Sequence, residues 1–181
     1  LRYGENPHQK AALYKGSGVS AAALPGGWAD AKVLWGKEMS YNNFLDTDSA
    51  LKLLAEFDLP AAVIVKHNNP CGVATGKTLL DAYQKAKATD PVSAFGGVAA
   101  FNRPITDELA TEITTTFMEV IVAPLVDPSA LILFQKKKDL RVIEFNYPVE
   151  TPVDFRLVFG GLLVQDTNNK VLNDSGEMRV V

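Results

Sequence analysis

Ala61-Ala62-Val63-Ile64-Val65-Lys66-His67-Asn68-Asn69-Pro70-Cys71-Gly72 is the stretch on which the fold turns. Its first five residues have the length and β-branching of a strand covered on both faces, as in layered α/β domains. The polar residues that follow cannot continue such a strand, and Asn69-Pro70 with Cys71-Gly72 reads as punctuation that turns the backbone away. In open α/β sheets ligands bind just outside the carboxyl ends of the strands. Lys66 and His67, delivered side by side at that edge, are therefore the first candidates for chemistry.

The flanking pattern alternates helices with apolar runs. A first helix is predicted from a cap at Asp46 or Thr47, with Ala50, Leu53, Leu54 and Phe57 on one face, ending before Pro60. A second, capped at Thr78, carries Leu79, Ala82, Tyr83 and Ala86 inward and stops at Thr89-Asp90-Pro91. An apolar strand over 98–101 and the turn Asn102-Arg103-Pro104 follow. A third helix, capped by Thr106, sets Leu109, Ile113, Phe117 and Val120 inward, and 120–123 reads as a short strand stopped by Pro124. A weaker helix over 128–137, a strand over 140–145, a loop over 146–154 and a strand over 156–164 complete the series. Gly160-Gly161 predicts a bulge or a close backbone approach within the last strand. The order is that of an α/β protein, a three-layer α/β/α sandwich.

With 18 Lys plus Arg against 21 Asp plus Glu, the net charge of −3 gives no general attraction to nucleic acid or to an anionic membrane surface. Cys71 is the single cysteine, which excludes an internal disulfide framework and points to a cytoplasmic setting. No apolar run approaches the roughly 18 residues of a membrane span. The chain opens at Leu1 on the dense polar string Arg2-Tyr3-Gly4-Glu5-Asn6-Pro7-His8-Gln9 and ends without a closing helix, which reads as the interior of a longer polypeptide.

Several residues carry competing readings. His67 is one of two histidines, and a lone histidine is commonly structural. The adjacent Lys66 favours function, because an imidazole can accept a proton near neutral pH while an ammonium stabilises developing negative charge. In an extended chain the two side chains point to opposite sides, so both meet one ligand only if the backbone twists, as Asn68-Asn69-Pro70 allows. Cys71 reads as a small buried hydrophobe rather than a nucleophile. Pro70-Cys71 matches half of a zinc deaminase signature, but position 74 is Ala and no His-x-Glu precedes it, so no metal site is expected. In Ser93-Ala94-Phe95-Gly96-Gly97, Phe95 can cover a planar ring and the glycines let backbone approach a ligand; a plain tight turn reads equally well. Arg2-Tyr3 sets a guanidinium beside a phenol. Lys136-Lys137-Lys138 suits a solvated helix C-terminus.

Together RYGENPHQ at 2–9, SYNNFLDTDSA at 40–50, VKHNNPCGVA at 65–74, DPVSAFGG at 90–97 and the run into IVAP at 121–124 resemble one family. It is the aminoimidazole carboxamide ribonucleotide (AICAR) transformylase part of the bifunctional enzymes that also carry inosine monophosphate (IMP) cyclohydrolase. The resemblance implies transfer of a formyl group from 10-formyltetrahydrofolate, as co-substrate, to the 5-amino group of AICAR in purine biosynthesis, with no metal, in a cytoplasmic homodimer. It makes His67 the proton acceptor and Lys66 the transition-state stabiliser. Arg2, Tyr3 and Gly96, with Phe95 beside it, become nucleotide contacts. Glu119 stands where relatives carry Asp as a nucleotide-binding carboxylate, and Asn42 is a further candidate of that kind. The family fold consists of two subdomains resembling cytidine deaminase. Residues 1–150 would form the first, and 151–181 a connecting strand and the start of a truncated second. The cyclohydrolase domain and the second half of the transformylase would be missing, so the chain alone is expected to be inactive. The competing reading is a non-catalytic nucleotide-binding or dimerisation module.

Overall fold

The apolar run of the opening stretch is an inner strand of a six-stranded mixed sheet. A computed structural model of the chain describes residues 1, 3–14, 28, 31–146 and 153–168. The elements are β1 (Lys32–Trp35), α1 (Tyr41–Leu54), β2 (Ala61–Lys66), β3 (Asn69–Thr75), α2 (Leu79–Thr89), α3 (Pro91–Ala94), β4 (Gly97–Phe101), α4 (Asp107–Ile113), β5 (Met118–Ala123), α5 (Pro128–Phe134) and β6 (Arg141–Glu144). A separate hairpin, β7 (Val153–Val158) and β8 (Gly161–Asp166), follows. The sheet order is β1-β6-β5-β4-β2-β3, with β4, β5 and β6 parallel and the other pairings antiparallel.

Helices cover both faces, and the strand residues divide between them with period two. Ala62 and Ile64 join Ala99, Phe101 and Ile121 beneath α2, α4 and α5. Ala61, Val63 and Val65 join Val98, Ala100, Val120 and Val122 beneath Ala50, Leu51 and Leu54 of α1. Residues 61–65 are all 0% exposed, which is why this run carries no polar position. Each fully buried Val or Ile contributes about 1.5–3 kcal/mol relative to exposure, so β2 is a principal anchor of the two cores.

Several boundaries differ from the periodicity reading. Helix α1 starts at Tyr41 rather than near Asp46, because Ser40 and Asn43 form a reciprocal capping box: Asn43 N donates to Ser40 Oγ and Ser40 N to Asn43 Oδ1, both at 3.1 Å. Asp46 and Thr47 lie inside the helix. Residues 69–75 do not turn away; they return as β3, an edge strand in which Pro70 is tolerated because one side of an edge needs no donor. Helix α4 ends at Ile113, so Phe117 leaves the inner face and stands 42% exposed, while Val120 belongs to β5. The strand expected over 156–164 is two strands joined by Phe159-Gly160, and Gly160 (φ +71°) makes the turn. Strand β1 escaped the periodicity reading, and the loop expected over 146–154 lies largely outside the described residues. The second helix, capped by Thr78, runs over the expected span. No described helix is long and apolar enough to cross a membrane.

At Gly72 the strand β3 meets α2 so closely that a Cβ would lie 2.1 Å from the backbone oxygen of Ala86. Two backbones would have to part to admit it. Gly72→Ala is therefore expected to destabilise the fold by about 1–3 kcal/mol or more. A thermal melt followed by circular dichroism would show a lower Tm; an unchanged Tm would contradict the close approach.

Candidate active site

Lys66 pairs with Asn69, so the connection from β2 to β3 is the two residues His67-Asn68. Both are left-handed, with φ +53° and +62°. This is the backbone sense that a two-residue hairpin needs to match the twist of its strands, and His and Asn are among the non-glycine residues that adopt it most readily. The twist expected at 68–70 thus begins at His67 itself. Helix α1 grips the turn from one side: Asn68 N donates to Asp46 Oδ1 at 2.6 Å, and the Ser49 hydroxyl donates to Asn68 Oδ1. Asn69 Nδ2 donates to the His67 carbonyl at 2.9 Å. The His67 residue is exposed.

Lys66 Nζ donates to the Phe95 carbonyl at 2.5 Å, which joins the turn to the α3–β4 connection. That connection is shaped locally. Pro91 opens α3, and Asp90 Oδ1 accepts from Ser93 N at 2.9 Å. Hydrogen bonds from the Ser93 side chain and backbone hold the Asp90 carboxyl below the ordinary carboxylate range. Gly96 has φ +72° and donates its N–H to the Phe117 carbonyl at 2.7 Å. The space beside it is open, since a Cβ there would come no nearer than 3.7 Å to Lys66 Nζ or the Phe117 ring. Backbone conformation, rather than crowding, requires glycine at 96. The Phe95 and Phe117 rings lie 5.4 Å apart at 51°, both substantially exposed.

Glu119 is the extra residue of a β-bulge, because Gly97 pairs with Met118 and Val98 with Val120. Bulges re-aim side chains at sheet edges. Here Glu119 meets α1, where Asn43 Nδ2 donates to Glu119 Oε2 at 2.8 Å. The buried Arg141 guanidinium lies 3.9 Å from the same oxygen and also donates to the carbonyls of Glu38 and Asp139. Asn42 Nδ2 donates to the Glu5 carbonyl at 3.2 Å and so ties down the turn over 4–9, in which Gly4 N donates to the Gln9 carbonyl at 2.8 Å. Tyr3 immediately precedes that turn and is half-buried. Arg2 lies outside the described residues.

Lys66, His67, Phe95, Gly96, Glu119 and Asn42 therefore share one edge of the sheet. It is the carboxyl end of β2 but the amino end of β4, β5 and β6, since β2 runs against them. The simple carboxyl-end rule would favour the opposite edge. A cavity of about 300 Å³ does lie there, between the end of α1 and the ends of β4, β5 and β6. Its Asn102 and Arg103 side chains are committed to the chain itself: Asn102 Nδ2 donates to Phe57 and Leu59 carbonyls, and Arg103 Nη2 to that of Asp58. Those groups staple loops. Among the described residues no group of three or more His, Cys, Asp or Glu side chains could hold a metal ion.

Asn43, Asp46 and Arg141 are not site candidates on sequence alone: Asp46 reads there only as a helix cap, Asn43 precedes that cap, and Arg141 falls within the strand expected over 140–145. The available signal is Arg141 within the strand-like LRVIEF, since Arg is rarely buried without partners.

The architecture and this edge define an α/β sandwich with a basic and imidazole pair on a hairpin turn. The chain belongs to the AICARFT/IMPCHase bienzyme family, whose model matches residues 1–181. It is 48% identical over 180 residues to the bifunctional purine biosynthesis protein PurH of Caldicellulosiruptor saccharolyticus, covering 96% of this chain and 34% of that protein. To the PurH of Persephonella marina it is 50% identical over 186 residues, covering 100% and 35%. To that of Synechococcus elongatus it is 51% identical over 177 residues, covering 94% and 33%. The chain spans about a third of the length of these curated relatives. A solved structure, RibD of Acinetobacter baumannii, overlaps 55% of this chain and 36% of its own at TM-score 0.43 and 14% identity, too slight a likeness to bear on the argument.

Cys71 is half-buried, and its Sγ donates to the Ile64 carbonyl at 3.5 Å. Burial pushes its thiol pKa up, against the trend of a nucleophilic cysteine. A raised pKa leaves less thiolate at neutral pH. Alkylation by iodoacetamide at pH 7.5 is expected to be slower than that of free cysteine, and a faster reaction would refute the structural role.

Proposed function

We propose that this chain contributes the first part of an active site that transfers a formyl group from 10-formyltetrahydrofolate to the 5-amino group of AICAR, in the purine route to IMP. The observation that carries the reading is the juxtaposition, on one edge, of the Lys66 ammonium, the His67 turn, the Gly96 backbone and the Glu119 carboxylate. The acceptor amine is electron-poor and a weak nucleophile. A base must remove its proton as the new C–N bond forms, a cation must offset the negative charge that develops on the formyl oxygen, and tetrahydrofolate must depart as the bond from the formyl carbon to its N10 breaks and that nitrogen takes up a proton. His67 is the base in this reading, and Lys66 the cation. Gly96, Phe95, Glu119, Asn42, Tyr3 and Arg2 hold the nucleotide. Glu119, longer by a methylene than the Asp of the resembling pattern, reaches its place with support from Asn43.

The same reading takes residues 1–150 as one cytidine deaminase-like subdomain and 151–181 as the connection to the next. The intact protein works as a cytoplasmic homodimer, and the 181-residue chain alone lacks turnover. A second reading, a nucleotide-binding or dimerisation module, is favoured by the β7–β8 hairpin. Its register sets Phe155, Leu157, Leu162 and Val164 on one face, all more than half exposed, and a two-stranded hairpin needs a partner for that face to be stable.

Formyl transfer by a polypeptide of the relatives' full length distinguishes the two. His67→Ala is expected to lower kcat by on the order of 10²-fold or more at unchanged circular dichroism, the range for loss of a general base. Transfer at the wild-type rate by His67→Ala would overturn the assignment.

A further inference from the structure

We propose that Asp46 is the positioning residue of the His67 turn, which rests on the reading of His67 as the base. The His67-Asn68 peptide is pinned from both sides: its N–H, on Asn68, donates to Asp46 Oδ1 at 2.6 Å, and its C=O, on His67, accepts from Asn69 Nδ2 at 2.9 Å. Fixing that peptide plane fixes the backbone angle that aims the imidazole. Packing cannot do this, because residues 67–70 are all exposed. Nor does intrinsic preference suffice, since two consecutive non-glycine residues in the left-handed region are sparsely populated without support.

Asp46 is suited to the task by charge and by attachment. A carboxylate accepting from a backbone N–H makes a stronger bond than a neutral acceptor. Its helix is held to the sheet by the buried Ala50, Leu51 and Leu54, so the clamp is mounted on a rigid element rather than on another loop. Ser49, also on α1, gives the second contact, to the Asn68 side chain. The other end of the turn leads directly into Lys66, whose ammonium is held by the Phe95 carbonyl. Releasing Asp46 therefore loosens the base while leaving the cation in place.

Steady-state formyl transfer by the full-length polypeptide tests this with His67→Ala, Asp46→Asn, Asp46→Ala and the double variant Asp46→Ala/Asn68→Gly. Asp46→Ala is expected to lower kcat by roughly 10- to 100-fold, the scale for misplacing a catalytic group by about an ångström, with KM for the nucleotide little changed. Asp46→Asn, which keeps an acceptor oxygen, should retain most of the activity. Asn68→Gly should restore much of the loss in the double variant, because glycine adopts the left-handed turn without a clamp. A merely structural role of Asp46 would lower the Tm without such rescue, and that result would overturn the proposal. If His67→Ala abolishes transfer but Asp46→Ala keeps the wild-type kcat, only the proposal fails. If His67→Ala remains active, the reading of the base fails and the proposal with it.

Discussion

The two-residue left-handed turn at His67-Asn68 is the constraint on which the rest of the arrangement depends. Because it folds β3 back along β2 at once, the chain re-enters the layer as an edge strand and must cross through α2 and α3 to reach β4. That return places β4 antiparallel to β2, and the end of one strand becomes the beginning of the next. Lys66 can then reach the Phe95 carbonyl across the edge. A longer loop at 67–68 would relax the twist match and free the imidazole together with the strand that follows.

Polar groups arrive at this edge by three different devices. The capping box of Ser40 and Asn43 starts α1 there, bringing Asn42 and Asn43 with it. A positive-φ glycine bends the α3–β4 connection so that the Phe95 carbonyl faces the lysine. A bulge turns Glu119 out of the strand alternation toward α1. Behind Glu119, Arg141 sits buried with partners for its guanidinium at Glu38, Asp139 and Glu119. A buried charge is costly unless it is so paired, which couples the position of Glu119 to the start of β6.

Of the segments that mark the family, those at 40–50, 65–74 and 90–97 reach the same edge from α1, the β2–β3 turn and the α3–β4 connection. The described part of the segment at 2–9, residues 3–9, is tethered to it through the Glu5 carbonyl and Asn42. The segment at 121–124 differs, since it runs through the buried part of β5 toward the other edge, and Glu119 just before it supplies the edge residue. Four of the five markers thus converge on one edge, and the fifth touches it only through its neighbour Glu119.

The local chemistry of the chain was enough to determine the layered α/β class, the doubly buried β2, the cap of α2 at Thr78 and the pairing of Lys66 with His67. Each depends on neighbours in sequence: apolar runs, a capping threonine, adjacent residues. Periodicity places the start of α1 too late because its opening turn is polar and its cap is a reciprocal side-chain bond rather than an apolar stripe. Strand β3 has no periodic signature because an edge strand can hold Asn, Pro and Gly, and the apolar spacing overextends the third helix because Phe117 happens to continue it. Which edge gathers the candidate residues, and that Asp46, Asn43 and Arg141 contact them there, only the tertiary structure could decide. Those relations join residues 22 to 103 positions apart through strand direction, a bulge and backbone hydrogen bonds, none of which leaves a periodic trace in the sequence.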